Sequence, residues 1–412
     1  MTGPPREGFT REFIVLSALG AFAIFSSTMS KAPTLSLFAK YLGATPLEIG
    51  FIAAASTVVG IVTNVTAGTL SDLYGRKTLI ITATIIFATA PFLYLLVTTP
   101  IQLLLVRLYH GFATATLAPV LSATIADMYL SRRGEMMSLA TSSQYVGRLL
   151  APTVGGLILS PTLLGLTLPG FHKVYLVCGV SGSLALILAL SLFLFPALRA
   201  SSATSKRGGV VENLRQMPRH TGFMSISSAL SALYLSVGPI ETFLPLYAEG
   251  LGIPSYQIGL LLSIQNAMIL LAGPIFGRLS DRLSRSNFVM TGVGIVALSI
   301  VLISFSGSFP VLLLVMLLYG SGMAMTLATT PPMVAQVVPR PLYGTSLGAL
   351  ETIKDIGQTL GPIVVGLAVG LSGGEYFGAF ILLGGIIAAN LGFLNIGLRR
   401  RYHQVRPDLD PP

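Results

Sequence analysis

Long apolar runs, each about the length of a membrane crossing, alternate with short polar turns along this chain. A helix that crosses about 30 Å of hydrocarbon needs roughly 20 residues. Runs of that kind fall near 13–39, 46–70, 78–98, 101–127, 134–160 and 173–197. After a polar stretch they resume near 222–248, 256–279, 286–307, 309–336, 343–370 and 375–397. Lipid offers backbone groups no hydrogen-bond partner, so each run must satisfy its own amides, as a helix does. The pattern predicts an all-α membrane protein with twelve transmembrane helices. The first run exceeds the roughly 7–15 apolar residues of a signal peptide and carries no convincing cleavage site, so it is expected to be retained.

The pattern also repeats. Leu42-Gly43-Ala44-Thr45-Pro46-Leu47-Glu48-Ile49-Gly50 returns as Leu251-Gly252-Ile253-Pro254-Ser255-Tyr256-Gln257-Ile258-Gly259. Gly68 and Asp72 return as Gly277 and Asp281, at the same offset of 209 positions. Gly147 and Pro152 return as Gly357 and Pro362, offset by 210. The chain therefore reads as two six-helix bundles related by an internal repeat, residues 1–198 and 222–398. A linker at 199–221, rich in Ser, Gly and basic residues, joins them, and a polar tail covers 399–412. Repeats of this kind are how secondary transporters are built, with the binding site where the repeats meet.

Composition agrees with a lipid-embedded fold. Of the 412 residues 53% are hydrophobic and 10% are charged, against roughly 25% charged in soluble domains. The single cysteine, Cys178, excludes an internal disulfide framework and a cysteine metal cluster. No cofactor or metal is expected. The net charge of +10 has a topological cause. Nineteen of the 25 Lys and Arg residues gather at segment ends on one side, and the six others are Lys31, Lys40, Arg107, Arg148, Lys173 and Lys354. Because basic loops stay cytoplasmic, both termini and the linker are expected there, in a multi-pass protein of the cell membrane. No nucleic-acid partner is expected.

Between the second and third segments lies Gly68-Thr69-Leu70-Ser71-Asp72-Leu73-Tyr74-Gly75-Arg76-Lys77. Gly68 and Gly75 permit close approach and a tight turn, and Asp72 can accept bonds from Arg76 or from a helix N-terminus. Two readings stand: a conformational latch, or a solvated turn anchored by its basic residues. The stretch resembles the loop motif of the major facilitator superfamily, with Leu73 where that motif has a basic residue. The second copy keeps Gly277, Asp281 and Arg282, and has Ser284 where the motif prefers Gly. Arg107-x-x-x-Gly111 resembles the family's fourth-helix motif, whose arginine is linked to proton coupling in exporters. Gln144 to Gly156, carrying Gly147, Pro152, Gly155 and Gly156, resembles the fifth-helix motif of antiporters, with Ala151 in place of one Gly. The resemblance covers the chain apart from its termini. It implies two bundles rocking about a central cavity flanked by the fifth and eleventh segments.

Charge inside the bilayer costs roughly 2.5–3.5 kcal/mol per residue on insertion scales and marks a functional candidate. Arg107, Arg148, Glu351, Lys354 and Asp355 fall within apolar segments. Glu351, Lys354, Asp355 and Gln358 share one stripe of the eleventh segment by helical spacing. They and Arg148 are expected to form a polar floor in which a carboxylate takes up a proton as ion pairs rearrange. The other reading is a static ion-pair clamp. Lys31 and Glu241 lie at similar heights near the outer ends, as an outer-gate pair or as two snorkelling side chains. His110 is either a proton carrier or a packed core histidine.

These readings converge on a secondary active transporter working by alternating access, most simply a proton-coupled exporter of small amphipathic compounds resembling multidrug efflux. Uptake or exchange of a small organic anion held by the basic side chains is the alternative, and a non-transporting sensor is another. No Walker-type nucleotide loop and no nucleophile–base motif points to ATP-driven transport or to an enzyme. The expected partners are a small molecule, protons and the lipid bilayer, with the protein acting as a monomer.

Overall fold

A computed structural model describes residues 9–129, 131–160, 170–192, 221–338 and 343–405, and within them not the side chains of 64–73, 221, 343–345, 347–348 and 396–405. The expected linker, up to residue 220, and the tail beyond residue 405 lie outside the described residues. The first set of helices is α1 (Arg11–Lys31), α2 (Thr34–Tyr41), α3 (Pro46–Tyr74), α4 (Arg76–Tyr94), α5 (Pro100–Met128), α6 (Arg133–Leu159) and α7 (Gly170–Ser191). The second is α8 (Thr221–Gly250), α9 (Ser255–Arg282), α10 (Arg285–Ile303), α11 (Phe309–Val337), α12 (Tyr343–Leu371) and α13 (Phe377–Val405).

The first apolar run is two helices rather than one. Pro33 has no amide hydrogen, so the helical ladder stops at Lys31. The Ala32 amide still reaches the Thr28 carbonyl at 2.8 Å, and the Thr34 hydroxyl donates to the Met29 carbonyl at 2.9 Å. With α1 and α2 taken as a single crossing, the described residues give the twelve expected spans. Ten of them are long and apolar enough to cross a membrane. The two that fall short in hydropathy, α6 and α12, are the fifth and eleventh, where the intramembrane charges of Arg148, Glu351, Lys354 and Asp355 lie. A helix with a polar stripe needs protein or water on that face, not lipid. At the C-terminal end α13 runs on to Val405, into the stretch expected to be tail. Its first proline after the apolar run is Pro407, and nothing earlier forces the helix to stop.

The doubled passage proves to be a helix-ending turn. Gly43 and Gly252 take φ of 81° and 76°, a region that costs any residue with a Cβ. The Ala44 amide then reaches back to the Ala39 carbonyl at 3.0 Å, and the Ile253 amide to the Ala248 carbonyl at 3.0 Å. These six-residue closures satisfy carbonyls that the helix end would leave bare. The next helix starts at once. Thr45 and Glu48 form a capping box: the Thr45 amide donates to Glu48 Oε2 at 2.7 Å and the Glu48 amide to the Thr45 hydroxyl at 3.3 Å.

Contacts divide the chain into two compact units, residues 1–205 with 254–263, and residues 206–253 with 264–412. In the first unit α1 packs on α6 and α7, α3 on α5, and α4 on α7. In the second, α8 packs on α12 and α13, and α10 on α11 and α13. Small residues let backbones meet at these seams. A Cβ on Gly147 would lie 2.7 Å from the Ala21 carbonyl oxygen, and one on its repeat partner Gly357 would lie 2.3 Å from that of Ser231. Gly111 meets the Cα of Ser56 in the same way, and its partner Gly320 meets the backbone of Gln265.

The tightest such seam in the first unit is Gly182 of α7, where a Cβ would lie 2.0 Å from the Phe87 carbonyl oxygen of α4. Gly182→Val is expected to lower stability by about 1–3 kcal/mol. Gly378→Ala, at a position with nothing within 4 Å, should leave stability level or raise it. Thermal unfolding of the two variants in detergent measures the difference.

Candidate functional site

Arg107 sits in the interior of the first unit, 2% exposed. It is positioned by α5, one turn before Gly111, whose missing side chain brings α3 close enough for Ser56 to serve it. The guanidinium Nη2 donates to Ser56 Oγ at 2.6 Å. One turn on, His110 Nδ1 lies 3.3 Å from the Tyr94 hydroxyl, and the Tyr94 ring stacks on Tyr175 with centroids 4.5 Å apart. His110 also stands edge-on to Phe87. Arg107 Nε, His110 Nε2 and the Tyr175 hydroxyl have no hydrogen-bond partner among the described residues. Arg107 is thus held by hydroxyl and aromatic neighbours, and His110 is a packed core residue. Ser56, Tyr94 and Tyr175 were not singled out from the sequence. No spacing rule points from Arg107 to them.

The fifth-helix motif divides its glycines between two faces of α6. Gly147 meets α1, and Gly155 faces Met29 near the end of α1. Gly156 and Pro152 face the start of α9, which the contacts group with the first unit. A Cβ on Gly156 would lie 2.3 Å from the Ser255 carbonyl oxygen, and one on Gly259 would lie 2.2 Å from that of Pro152. The Thr153 amide donates to Ser263 Oγ at 3.1 Å, and the two hydroxyls are 2.8 Å apart. Arg148 lies on the same helix, with its guanidinium 5.7 Å from the centre of the Tyr145 ring.

In the second unit α12 brings together the charges expected from helical spacing. Glu351 and Lys354 form an ion pair one turn apart. The ammonium also lies 5.2 Å from the centre of the Tyr234 ring on α8. The Glu351 side chain is 58% exposed and that of Lys354 is 20% exposed, so the carboxylate is the open member of the pair. Asp355 and Gln358 follow on the helix, both half-buried. Nearby on α8, the Ser236 hydroxyl lies 2.9 Å from the Tyr319 hydroxyl of α11. Lys31 ends α1 in the first unit, and Glu241 lies in α8 of the second. Among the described residues no group of three or more His, Cys, Asp or Glu is placed to hold a metal ion.

The loop motif is built differently in its two copies. Gly75 takes φ of 80° between α3 and α4. Its partner Ser284 stays at φ of −64° and caps α10 by accepting the Asn287 amide at 3.5 Å. The side chain of Asp72 lies outside the described residues, as does the packing of Gly68, so the expected Asp72 contact is not among them. Arg76 pairs with Asp127 near the end of α5, a partner the loop sequence does not announce. In the second copy Gln336 stands at the position of Asp127. There Arg285 turns to Asp281 on α9, at 2.5 Å. These two residues, with Ser280, Leu283, Ser286, Met333 and Gln336, line an open groove of about 340 Å³. Gly277 is near Ala328, and Arg282 closes the last turn of α9, where a cation suits the helix dipole.

The two arginine pairs differ in exposure, and this sets their worth. Asp127 and Arg76 are 28% and 17% exposed, while Asp281 is 60% exposed. Asp127→Asn leaves a half-buried guanidinium without its counter-charge and is expected to cost about 1–3 kcal/mol. Asp281→Asn is expected to cost under about 1 kcal/mol, the range of exposed pairs. Thermal unfolding in low and high salt separates the two, since only the exposed pair should weaken with salt.

Known proteins place this architecture. The chain is 26% identical over 369 residues to an uncharacterised MFS-type transporter of Methanocaldococcus jannaschii, covering 89% of this chain and 93% of that one. It is 22% identical over 280 residues to multidrug resistance protein 2 of Bacillus subtilis, covering 67% and 68%. In fold it is similar to the nucleoside transporter NupG, with a TM-score of 0.76 at 18% identity over 94% of this chain and 99% of that one. The model of the Major Facilitator Superfamily matches residues 17–256 and again 224–410. A twelve-helix repeat matched twice by one family model leaves a single assignment: the chain is a membrane transporter of the Major Facilitator Superfamily.

Proposed function

We propose that this protein exports small amphipathic compounds in exchange for protons, by alternating access of its two halves. The observation that carries the reading is the ion pair on α12. Glu351 presents an exposed carboxylate on a membrane-length helix, and its partner Lys354 is held from a second side by Tyr234. A carboxylate so placed can be claimed either by a proton or by a cationic substrate, and competition for one acid is what an antiporter requires. Asp355 adds a second acid one turn on. The similarity to a multidrug resistance protein supports export. Similarity to a nucleoside transporter concerns the fold alone.

The remaining assignments belong to the same reading. Arg148 and Gln358 contribute polar lining, and Arg107 contributes a fixed positive field from inside the first half. Asp72 with Gly68, and Asp281 with Arg282 and Gly277, act as latches in the two loop copies. Lys31 and Glu241 act as the outer gate. Residues 1–198 and 222–398 are the moving bundles, and the linker at 199–221, the tail and both termini face the cytoplasm. The protein acts as a monomer in the cell membrane. Arg148 and Lys354 also support a second reading, in which a small organic anion is the cargo.

Purified protein in liposomes, with an imposed pH gradient and a panel of cationic, neutral and anionic compounds, tests the proposal. Movement of cationic or neutral amphiphiles against their gradient, driven by protons, is the expected result. Glu351→Gln and Asp355→Asn are each expected to cut proton-driven transport at least about tenfold, the scale of losing a coupled proton transfer. Transport restricted to anions would replace export by the second reading. Indifference to the pH gradient would remove proton coupling.

A further inference from the structure

We propose that Tyr234 is a positioning residue for coupling: its ring holds the Lys354 ammonium in place whenever Glu351 is neutralised by a proton or engaged by a cationic substrate. The inference rests on the reading that Glu351 carries the coupled proton. Beside the adjacent carboxylate of Asp355, Lys354 has two neighbours of different permanence. The carboxylate of Glu351 loses its charge on protonation, whereas the negative face of an aromatic ring keeps its field in every state. Exposure decides which partner moves. Glu351 is the exposed member and Lys354 is mostly covered, so the carboxylate is the member free to leave.

Backbone contact fixes where the ring stands. Gly357 of α12 meets the Ser231 carbonyl of α8, and Gly361 meets that of Leu235. These two seams bracket Tyr234 on α8 and set the register that brings Lys354, one turn before Gly357, over its ring. Gly238 locks the same pair of helices from the other side against Pro362. A side chain in such a seam can rotate, but its Cα cannot retreat. Tyr234 is therefore a platform that stays with α12, not a residue that follows the substrate.

The charged and titratable surroundings of Glu351 are few. Among the described side chains of its own helix they are Lys354 and Asp355. Among the described residues of the helices packed on α12, α8 supplies Tyr234, Glu241, Tyr247 and Glu249, and α11 supplies Tyr319, hydrogen-bonded to Ser236. The described side chains of α13 supply none. Lys354 is the one cation among them, so the ease of protonating Glu351 depends on how completely Lys354 commits to it. With the ring sharing the ammonium, the carboxylate gives up less when it takes a proton. Without the ring, Lys354 binds Glu351 more fully and holds it ionised, and transport needs a lower pH to proceed.

The test is the pH profile of ethidium transport by the full-length protein in liposomes. Wild type is compared with Tyr234→Phe, Tyr234→Leu and, as a second non-aromatic side chain of similar reach, Tyr234→Met. Each variant is first checked by thermal unfolding. Tyr234→Leu and Tyr234→Met are expected to shift the midpoint to the acid side by about half a unit to one unit, and Tyr234→Phe to stay near wild type. A wild-type midpoint in the non-aromatic variants overturns the inference. So does a Tyr234→Phe profile displaced as far as that of Tyr234→Leu, which would give the role to the hydroxyl. A flat profile in wild type itself overturns the proton-coupling reading, and Tyr234 falls with it. A wild-type slope with unshifted variants removes Tyr234 alone.

Discussion

Helices in lipid gain little from hiding apolar surface, since the tails around them are as apolar as leucine, so they are held by closeness. The rest of this structure depends on backbones meeting at glycine. Gly147 against α1, Gly111 against α3, Gly357 and Gly361 against α8 and Gly320 against α9 all stand where a methyl group would crowd a neighbouring main chain. At that range dispersion contacts are many and register is fixed to within one residue. The side chains that flank each seam are then placed as firmly as the seam itself. Gly111 delivers Arg107 to Ser56, and Gly357 with Gly361 delivers Lys354 to Tyr234.

Charge is the second constraint, and packing governs how it is met. A charged side chain off water must find compensation nearby. Arg107 finds a hydroxyl and a wall of aromatic rings, Lys354 a carboxylate and a ring, and Arg76 the carboxylate of Asp127. Of these three, the Lys354 site is the one whose carboxylate partner is mostly exposed. Arg107 is sealed, so its partners are permanent. Glu351 is open, so the partner of Lys354 can change. That difference separates a sealed cation from one with an exposed partner, although both are basic groups on membrane helices.

Much of the fold was legible because its signals are local. Runs of about 20 apolar residues are set by the thickness of the bilayer. The passage around Gly43 and Gly252 was legible as a repeat, and its helix-ending turn, with a positive φ at both glycines, comes from the structure. The stripe from Glu351 to Gln358 follows from helical spacing alone. What spacing cannot show is the partner on another helix. Asp127 answers Arg76 from some fifty residues away, and Tyr94, Tyr175 and Tyr234 are tyrosines in apolar runs with no period to mark them. The break at Pro33 was hidden for a related reason. Proline in an apolar run signals anything from a gentle bend to a full stop, and tertiary contacts decide which. Asp127 did leave one trace, since the repeat aligns it with the polar Gln336 at the matching end of α11.

Comparing the copies separates scaffold from purpose. A duplicated fold retains in both halves what both need in order to pack, and here that includes the turns at Gly43 and Gly252 and the seams at Gly147 and Gly357. The interior charges are not retained in this way. Arg148 corresponds to Gln358, Asp127 to Gln336, and Arg107 to Met316. Met316 is fully buried in the second unit, beside the same glycine seam that Arg107 accompanies in the first. The seam therefore forms with a thioether in that place, and packing alone does not call for a guanidinium. Burying an arginine in a membrane helix costs roughly 2.5–3.5 kcal/mol, a cost that the copy with methionine at this place does not carry.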